Sequence, residues 1–429
     1  MSTLPEDARS ELAPFDPFQP DYLENPYRVY AKYREADPVH WGLPPEPMAP
    51  GCWYIMRHDD ARVVIDDRRF CVEITNAIPA EYLPPLPEPY RPLFEQTADW
   101  FIFRDPPDHT RLKRLVSLAF TRKQVEQLEP RIRQVTNDLL DRAGDGKQLD
   151  AIGDFAARLP VIIIADLLGM PLDNREQLHG WSKAILAGMN LRHSDDAPRL
   201  LAEGTTATVE FTAHLRVLFE EKRKNPDEHL MSRLINVADT DGDRLSDREL
   251  VATCILLFFA GHETTVNLIG NGLLALLQNP DQLALLRERP ELIESAVEEM
   301  ARYDASGHMT FRFAREDVEL RGKKIGRGEP IAVIIGAANR DPNVFVDPDK
   351  FDITRQDNPH IAFGSGRHHC LGASLGRMET RIAIPTLLER MPEIRLLTDK
   401  LEWNPSIGLR GLKSLPVGSP AAVLSSAAH

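Results

Sequence analysis

Cysteine is scarce in this chain: four in 429 residues, at Cys52, Cys71, Cys254 and Cys370. Their scatter supplies no disulfide framework and no CxxC pair, so a stapled secreted scaffold is excluded and free thiols are expected. Long apolar runs are missing too. The most apolar run, Val251 to Ala260, is ten residues, about half of the ~20 that a membrane helix needs. The N-terminus, MSTLPEDARSELAPFDP, lacks a basic start followed by an apolar core, which argues against a secretory signal. Positive charge is outnumbered, with 51 Lys+Arg against 65 Asp+Glu and a formal charge of −14. Such a chain is a poor general binder of nucleic acid or anionic lipid. No solenoid repeat and no low-complexity tract occurs. These absences point to a cytoplasmic protein with no membrane anchor.

What is present is an ordinary globular balance, 42% hydrophobic and 27% charged. Val39-His40-Trp41 and Trp53-Tyr54-Ile55-Met56 are β-prone and can pair. Prolines 79, 84, 85, 87, 89 and 92 make residues 78–92 a surface loop without regular helix or central strand. Elsewhere helical spacing dominates: 108–120, 123–142 with a break or kink at Pro130, 156–168, 292–303 and 373–388. Ser246 and Glu249 form a capping-box start for a helix that runs to about Leu277, where Asn279-Pro280 stops it. Pro330 to Ile335 is a short strand-like run. The predicted fold is therefore mainly α with a small β portion. It is divided into a polar arm over 1–20, one domain over 21–418, and a flexible tail over 419–429.

The most informative segment is Phe363-Gly364-Ser365-Gly366-Arg367-His368-His369-Cys370-Leu371-Gly372. Its glycines permit a tight backbone, and Cys370 sits just before a helix N-terminus, where N–H groups favour a thiolate able to bind metal. A dinucleotide GxGxxG from Gly364 fails at His369, and a zinc site would need more well-spaced ligands nearby. A glycine turn around a buried cysteine is the plain alternative. Ala260-Gly261-His262-Glu263-Thr264-Thr265 lies within the long helix, where a carboxylate and a hydroxyl beside an apolar pocket can relay protons. An HExxH zinc-protease reading of His262-Glu263 fails at Val266. Glu299 and Arg302, three apart, share a helix face.

The cysteine segment fits FGxGxHxCxG at every fixed position, and with the other motifs in order the chain resembles the cytochrome P450 monooxygenases, soluble bacterial type, over roughly residues 20–418. The resemblance implies the P450 fold, a helical haem domain around a long central helix. It also implies haem b with Cys370 as thiolate ligand of the iron, Phe363 beside it, His368 at a propionate, and Gly364, Gly366 and Gly372 shaping the loop. Ala260 and Gly261 would border the haem, Gly261 leaving room for bound O2, and Glu263 with Thr264 would be the catalytic proton pair. His109 and Lys113 would meet propionates from the helix that starts at Asp108. Lys113 stands where the family usually has Arg, so a point charge replaces a fork. Arg312 matches the other propionate arginine. Glu299, Arg302 and Arg355 would form a structural trio.

By family position, Leu256, Phe259, His308, Thr310 and Leu409 would line the substrate pocket, with 78–92 and 180–205 as lid. The implied reaction puts one O2 oxygen into a largely apolar small molecule, by hydroxylation or epoxidation. A secondary metabolite such as a polyketide or terpenoid is the expected substrate. Electrons would come from NAD(P)H through a ferredoxin reductase and ferredoxin, since no flavin or nicotinamide fingerprint and no reductase-sized extension is visible. Ferredoxin would dock on Arg111, Lys113, Arg114, Arg122, Lys123 and Arg367. A monomer is expected. The competing readings are a peroxide-driven or non-oxygenase haem-thiolate enzyme, and a haem-free helical binding protein.

Overall fold

The structure, a computed structural model, describes residues 12–19, 22, 24–45, 50–143, 148–171, 175–189, 196–240 and 242–419. Six helices surround the site: α1 (Asp108–Ala119), α2 (Leu159–Leu168), α3 (Arg175–Met189), α4 (Asp247–Gln278), α5 (Ile293–Tyr303) and α6 (Ala373–Arg390). A five-stranded sheet is drawn from the chain before α1 and from the stretch between α5 and α6. Its strands are β1 (Val39–Gly42), β2 (Cys52–Ile55), β3 (Phe70–Cys71), β4 (Met309–Ala314) and β5 (Pro330–Ile334), in the order β1-β2-β5-β4-β3. β1 and β2 pair antiparallel, Val39 opposite Ile55, while β2 and β5 run parallel.

The long helix forms for the reasons its sequence announces. Glu249 N–H donates to Ser246 Oγ at 3.3 Å and Ser246 N–H donates to Glu249 Oε2 at 2.8 Å, closing the capping box. Pro280 lacks the N–H that would extend α4 and instead opens the next helix, Pro280–Glu288. At 32 residues α4 spans about 48 Å, and it packs against α2, α5 and α6. Whole, it is long and apolar enough to cross a membrane by length and composition, which the ten-residue count from the sequence missed. Most of it is instead buried inside the molecule, so its apolar character serves the core.

Several boundaries differ from the periodicity. The 123–142 segment is two helices, Arg122–Gln127 and Glu129–Arg142, with Pro130 in the first turn of the second, where its missing N–H costs nothing. Ahead of α2 the chain makes a π-helical segment, Ala151–Ala156. Residues 78–90 hold two short 3₁₀ turns with largely exposed side chains, and the helix Arg91–Ala98 begins inside the expected loop with Pro92 in its first turn. The lid expected over 180–205 contains α3 and the start of the helix Ala197–Lys224, and its residues 190–195 lie outside the described ones. Much of the expected arm, and the tail after Ser419, also lie outside them. Phe15 belongs to the fold: it is fully buried, bridges to Gly42, and its ring meets Tyr22, Tyr33 and Tyr54.

Candidate active site

The cysteine loop closes on itself before α6. Cys370 N–H donates to Phe363 O at 2.9 Å, and the Arg377 guanidinium lies 4.0 Å over the Phe363 ring. Gly364 and Gly366 have φ of +72° and +55°, the left-handed region that side chains resist. A Cβ at Gly366 would also collide with Asp66 Oδ1, whereas one at Gly372 would meet nothing within 4 Å. The loop is thus tight on one side and open beside the cysteine.

Cys370 is exposed by accessible area, yet burial is the largest influence on its thiol, pushing it above the ordinary value. Both hold if its sulfur faces a hollow within the protein. The N–H groups of Gly372 and Ala373, with Arg377 and Lys113, pull the other way but do not prevail. The helix start thus favours the thiolate, as expected, against the opposing effect of burial. A metal ion at the sulfur would add to the pull toward the thiolate. Ala260, in the middle of the otherwise buried α4, is likewise exposed. A Cβ on Gly376 of α6 would sit 3.4 Å from Thr265 Oγ1, so α4 and α6 cross close to this stretch.

A cluster of basic side chains lies beside the loop. The rings of His109, on α1, and His368 are 4.1 Å apart, and His109 Nδ1 and His368 Nε2 are buried without a hydrogen-bond partner. Burial, with Lys113 and Arg367 nearby, lowers His109 to about 4. Burial and His109, then Arg312, lower His368 to about 2. Arg312 on β4 is 4% exposed, and burial depresses it to about 10. Its Nη1 donates to Phe311 O at 2.7 Å. A buried guanidinium beside two imidazole nitrogens that lack partners among the described residues is what a pair of carboxylates would satisfy. Lys113 does something else: its ammonium donates to Arg367 O at 2.6 Å and His369 O at 2.9 Å, so it braces the cysteine loop. A compact ammonium on a flexible stem can turn to these carbonyls, where a guanidinium fork would reach past them. The residues present fit a haem: a sulfur ligand, an open face at Gly372 and Ala260, and basic partners for two propionates.

Glu263 and Thr264 do not share a direction, since neighbours on a helix diverge. Thr264 Oγ donates to Ala260 O at 3.0 Å. Glu263 turns toward α3, with Oε1 3.5 Å from His262 Nε2. Burial acts to raise its carboxyl, but His262, His179 and Lys183 outweigh it and hold it below the ordinary value. Gly261 is also not where the resemblance puts it. A Cβ there would lie 2.8 Å from Ile164 Cγ1, so this glycine lets α4 approach α2 rather than making room for O2.

Of the expected pocket residues, Leu256 is packed in the core at 1% exposure. Phe259 rests on Trp100, ring centroids 5.3 Å apart. Thr310 and Leu409 are half-buried, and Leu409 bridges to Gly307. His308 is no pocket wall: Tyr27 Oη lies 3.1 Å from its Nε2 and Tyr30 Oη 3.0 Å from its Nδ1, so both ring nitrogens are taken. Burial, the largest influence, lowers its pKa.

Glu299, Arg302 and Arg355 come together. Arg302 grips Glu299 with Nε at 2.7 Å and Nη2 at 2.8 Å, and gives its remaining donors to Asn339 O, Pro348 O and Lys350 O. Arg355 Nε adds a bond to Glu299 at 3.2 Å. The expected docking cluster is largely neutralised within the fold: Arg111 pairs with Asp243 and Glu249, Arg114 with Asp239, and Arg122 with Glu126. A wide groove of about 870 Å³, lined in part by Lys123, Asp166, Met170 and His229, shares none of the site residues. The residues that sequence reasoning missed are His179 and Lys183 on α3. Nothing in the sequence ties them to Glu263.

A helical scaffold that presents a cysteine loop, a basic cradle and an open helix face defines a haem-thiolate protein. The family model described as Cytochrome P450 matches residues 88–289 and 286–392. The biotin biosynthesis cytochrome P450 of Bacillus subtilis (strain 168) is 40% identical over 400 residues, covering 92% of this chain and 97% of that protein. The 6-deoxyerythronolide B hydroxylase of Saccharopolyspora erythraea is 38% identical, covering 91% and 95%. Among solved structures, P450BioI in complex with an acyl carrier protein ligated by hexadec-9Z-enoic acid superposes with a TM-score of 0.84 at 39% identity, covering 93% and 99%. The chain belongs to the cytochrome P450 family and is an oxidoreductase of the monooxygenase type.

Proposed function

We propose that this P450 hydroxylates or epoxidises a largely apolar small molecule of the polyketide or fatty-acyl class, with electrons from NAD(P)H by way of a ferredoxin and its reductase. It would act as a cytoplasmic monomer. The observation that carries this is Ala260, exposed in mid-helix on the face that Thr264 shares one turn later, with Cys370 likewise exposed just before α6, the helix that packs on α4. Relatives named for biotin biosynthesis, polyketide biosynthesis and 6-deoxyerythronolide B hydroxylation support the substrate class.

Cys370 Sγ would hold the iron, and His109, Arg312 and His368 the propionates. The haem supplies the activation of O2 that no side chain can perform. Around it the chain's own task is positioning and proton supply. Thr264 Oγ, whose one hydrogen is given to Ala260 O, keeps its lone pairs free to accept a hydrogen bond from water, and so would position the water that carries a proton inward. Glu263, on the α3 side, would serve that route as an ionised carboxylate that orders the waters bringing protons from solvent. The Glu299 trio holds the architecture and touches no reactant.

Thr264→Ala tests the reading. The reduced carbon monoxide spectrum should keep the long-wavelength band of thiolate ligation while product per NAD(P)H consumed falls several-fold. Unchanged coupling would remove Thr264 from the route. Free and carrier-linked fatty acyl chains and macrolactones form the substrate panel, each run with ferredoxin and with peroxide. Turnover with peroxide alone would favour the peroxygenase alternative.

A further inference from the structure

His262 is absorbed neither by the haem cradle nor by the proton route. It is 1% exposed, and its Nδ1 lies 2.7 Å from Phe258 O, one helical turn back. A carbonyl only accepts, so Nδ1 carries the hydrogen, and in the neutral ring Nε2 carries a lone pair. Among the described residues that nitrogen is buried and meets no partner in hydrogen-bond geometry. It faces two other donors. Glu263 Oε1 is 3.5 Å away, and His179 comes across from α3, its ring centroid 5.6 Å from that of His262 at 75°. One ligand atom from each residue lies within 4.8 Å of the other two.

These separations suit a metal ion better than a hydrogen bond. Two donors bound tetrahedrally at ~2.0–2.1 Å lie about 3.4 Å apart, close to the 3.5 Å between His262 and Glu263. His179 needs to approach by about an ångström, a small movement for a half-buried side chain. Two imidazoles and a carboxylate form a zinc set with a fourth position left for water, and the set favours zinc, copper or nickel over magnesium or calcium. The Phe258 carbonyl on Nδ1–H is the outer-shell contact that orients a ligating imidazole. Lys183, one turn beyond His179, is the positive charge that now faces Glu263 and that an ion would supplant.

We propose that His179, His262 and Glu263 form a binding site for a zinc-like divalent ion. Occupancy withdraws Glu263 from proton supply and pins α3 to α4. The second half rests on the place given to Glu263 above; the site itself does not.

Equilibrium dialysis of the haem-loaded full chain against micromolar zinc, followed by metal analysis, tests the site. One zinc per chain beyond the iron is expected, with none retained from magnesium. His179→Ala and Glu263→Gln should each weaken zinc binding at least tenfold, since even outer-shell changes commonly cost 10–100-fold. Iron content shows that each variant is folded, and either variant suffices if the other fails. No retained zinc, or equal retention by the variants, overturns the site. Zinc should then lower product per electron in the unsubstituted enzyme, and EDTA should restore it. Zinc held by these residues with unchanged coupling would leave the site standing and overturn the role of Glu263.

Discussion

Replacing Gly261 by alanine separates two uses of one glycine, space for a ligand or contact between helices. A Cβ there would lie 2.8 Å from Ile164 Cγ1 and 2.9 Å from Cδ1, against ~3.5–4.0 Å for carbon atoms at rest. Overpacking of this kind costs about 1–3 kcal/mol. Alanine recovers about 0.8–1.0 kcal/mol of helix propensity, leaving a net loss of roughly 0–2 kcal/mol. For 429 residues the unfolding entropy makes 1 kcal/mol only about 1 °C in Tm, so a double-mutant cycle is the sharper assay. Ile164→Ala alone should cost about 2–5 kcal/mol by leaving a cavity. In its presence the methyl at 261 has room, so the double variant should be more stable than the sum of singles by about 1–2 kcal/mol. Urea midpoints followed by circular dichroism measure this, and the carbon monoxide band of Gly261→Ala should not move. Additivity within ~0.5 kcal/mol, together with a shifted carbon monoxide band, would refute the packing role and restore the ligand-space one.

Three further outcomes follow from buried polar groups. Arg302→Ala strands Glu299, itself fully buried, and should cost about 3–5 kcal/mol, read as a lower urea midpoint and loss of haem during purification; retention of both would mean the trio is dispensable. Glu379 on α6 is buried with neither oxygen partnered, and burial holds its carboxyl protonated well above the usual range. The unfolded chain ionises it near pH ~4.3, so it binds fewer protons than the fold and stability falls as pH rises from there toward the folded pKa. Glu379→Gln should therefore be the more stable protein at pH 7 with its advantage shrinking near pH 4.5, and a loss of stability at pH 7 would show an ionised, paired Glu379. His308→Ala removes two buried hydrogen bonds, about 1 kcal/mol each, plus a cavity, yet should leave substrate-induced Soret shifts unchanged; an altered substrate affinity at intact stability would put the ring back in the pocket.

What was legible in the sequence is what short-range chemistry decides. Ser246 and Glu249 announce the start of α4 because a capping box needs only four residues, and Asn279-Pro280 announces its end. The cysteine loop is legible because its glycines, Phe363 and Cys370 act within ten residues. The misplaced residues each depend on a distant partner. His308 turns to hydroxyls 281 and 278 residues away, and Lys113 to carbonyls 254 and 256 residues on. Gly261 is explained by Ile164 on another helix, and His262 by His179. The pairing of Arg111 with Asp243 and of Arg114 with Asp239 was hidden for the same reason, since those acids sit in a loop far along the chain.

The order of the sheet, with early strands β1, β2 and β3 interleaved with late strands β5 and β4, has a consequence for synthesis. When Cys71 leaves the ribosome, the strand that will join it, beginning at Met309, is still 238 residues from being made. At ~5–20 residues per second that is a wait of roughly 10–50 s. The central helices can collapse in that interval through local contacts, but β2 must keep an unpaired edge until Ile331 to Val333 arrive beside it. Biogenesis of this enzyme is thus most exposed to aggregation at Trp53, Tyr54 and Ile55. A ribosome stalled near residue 300 would carry early helices still waiting for α6, with an open, sticky sheet.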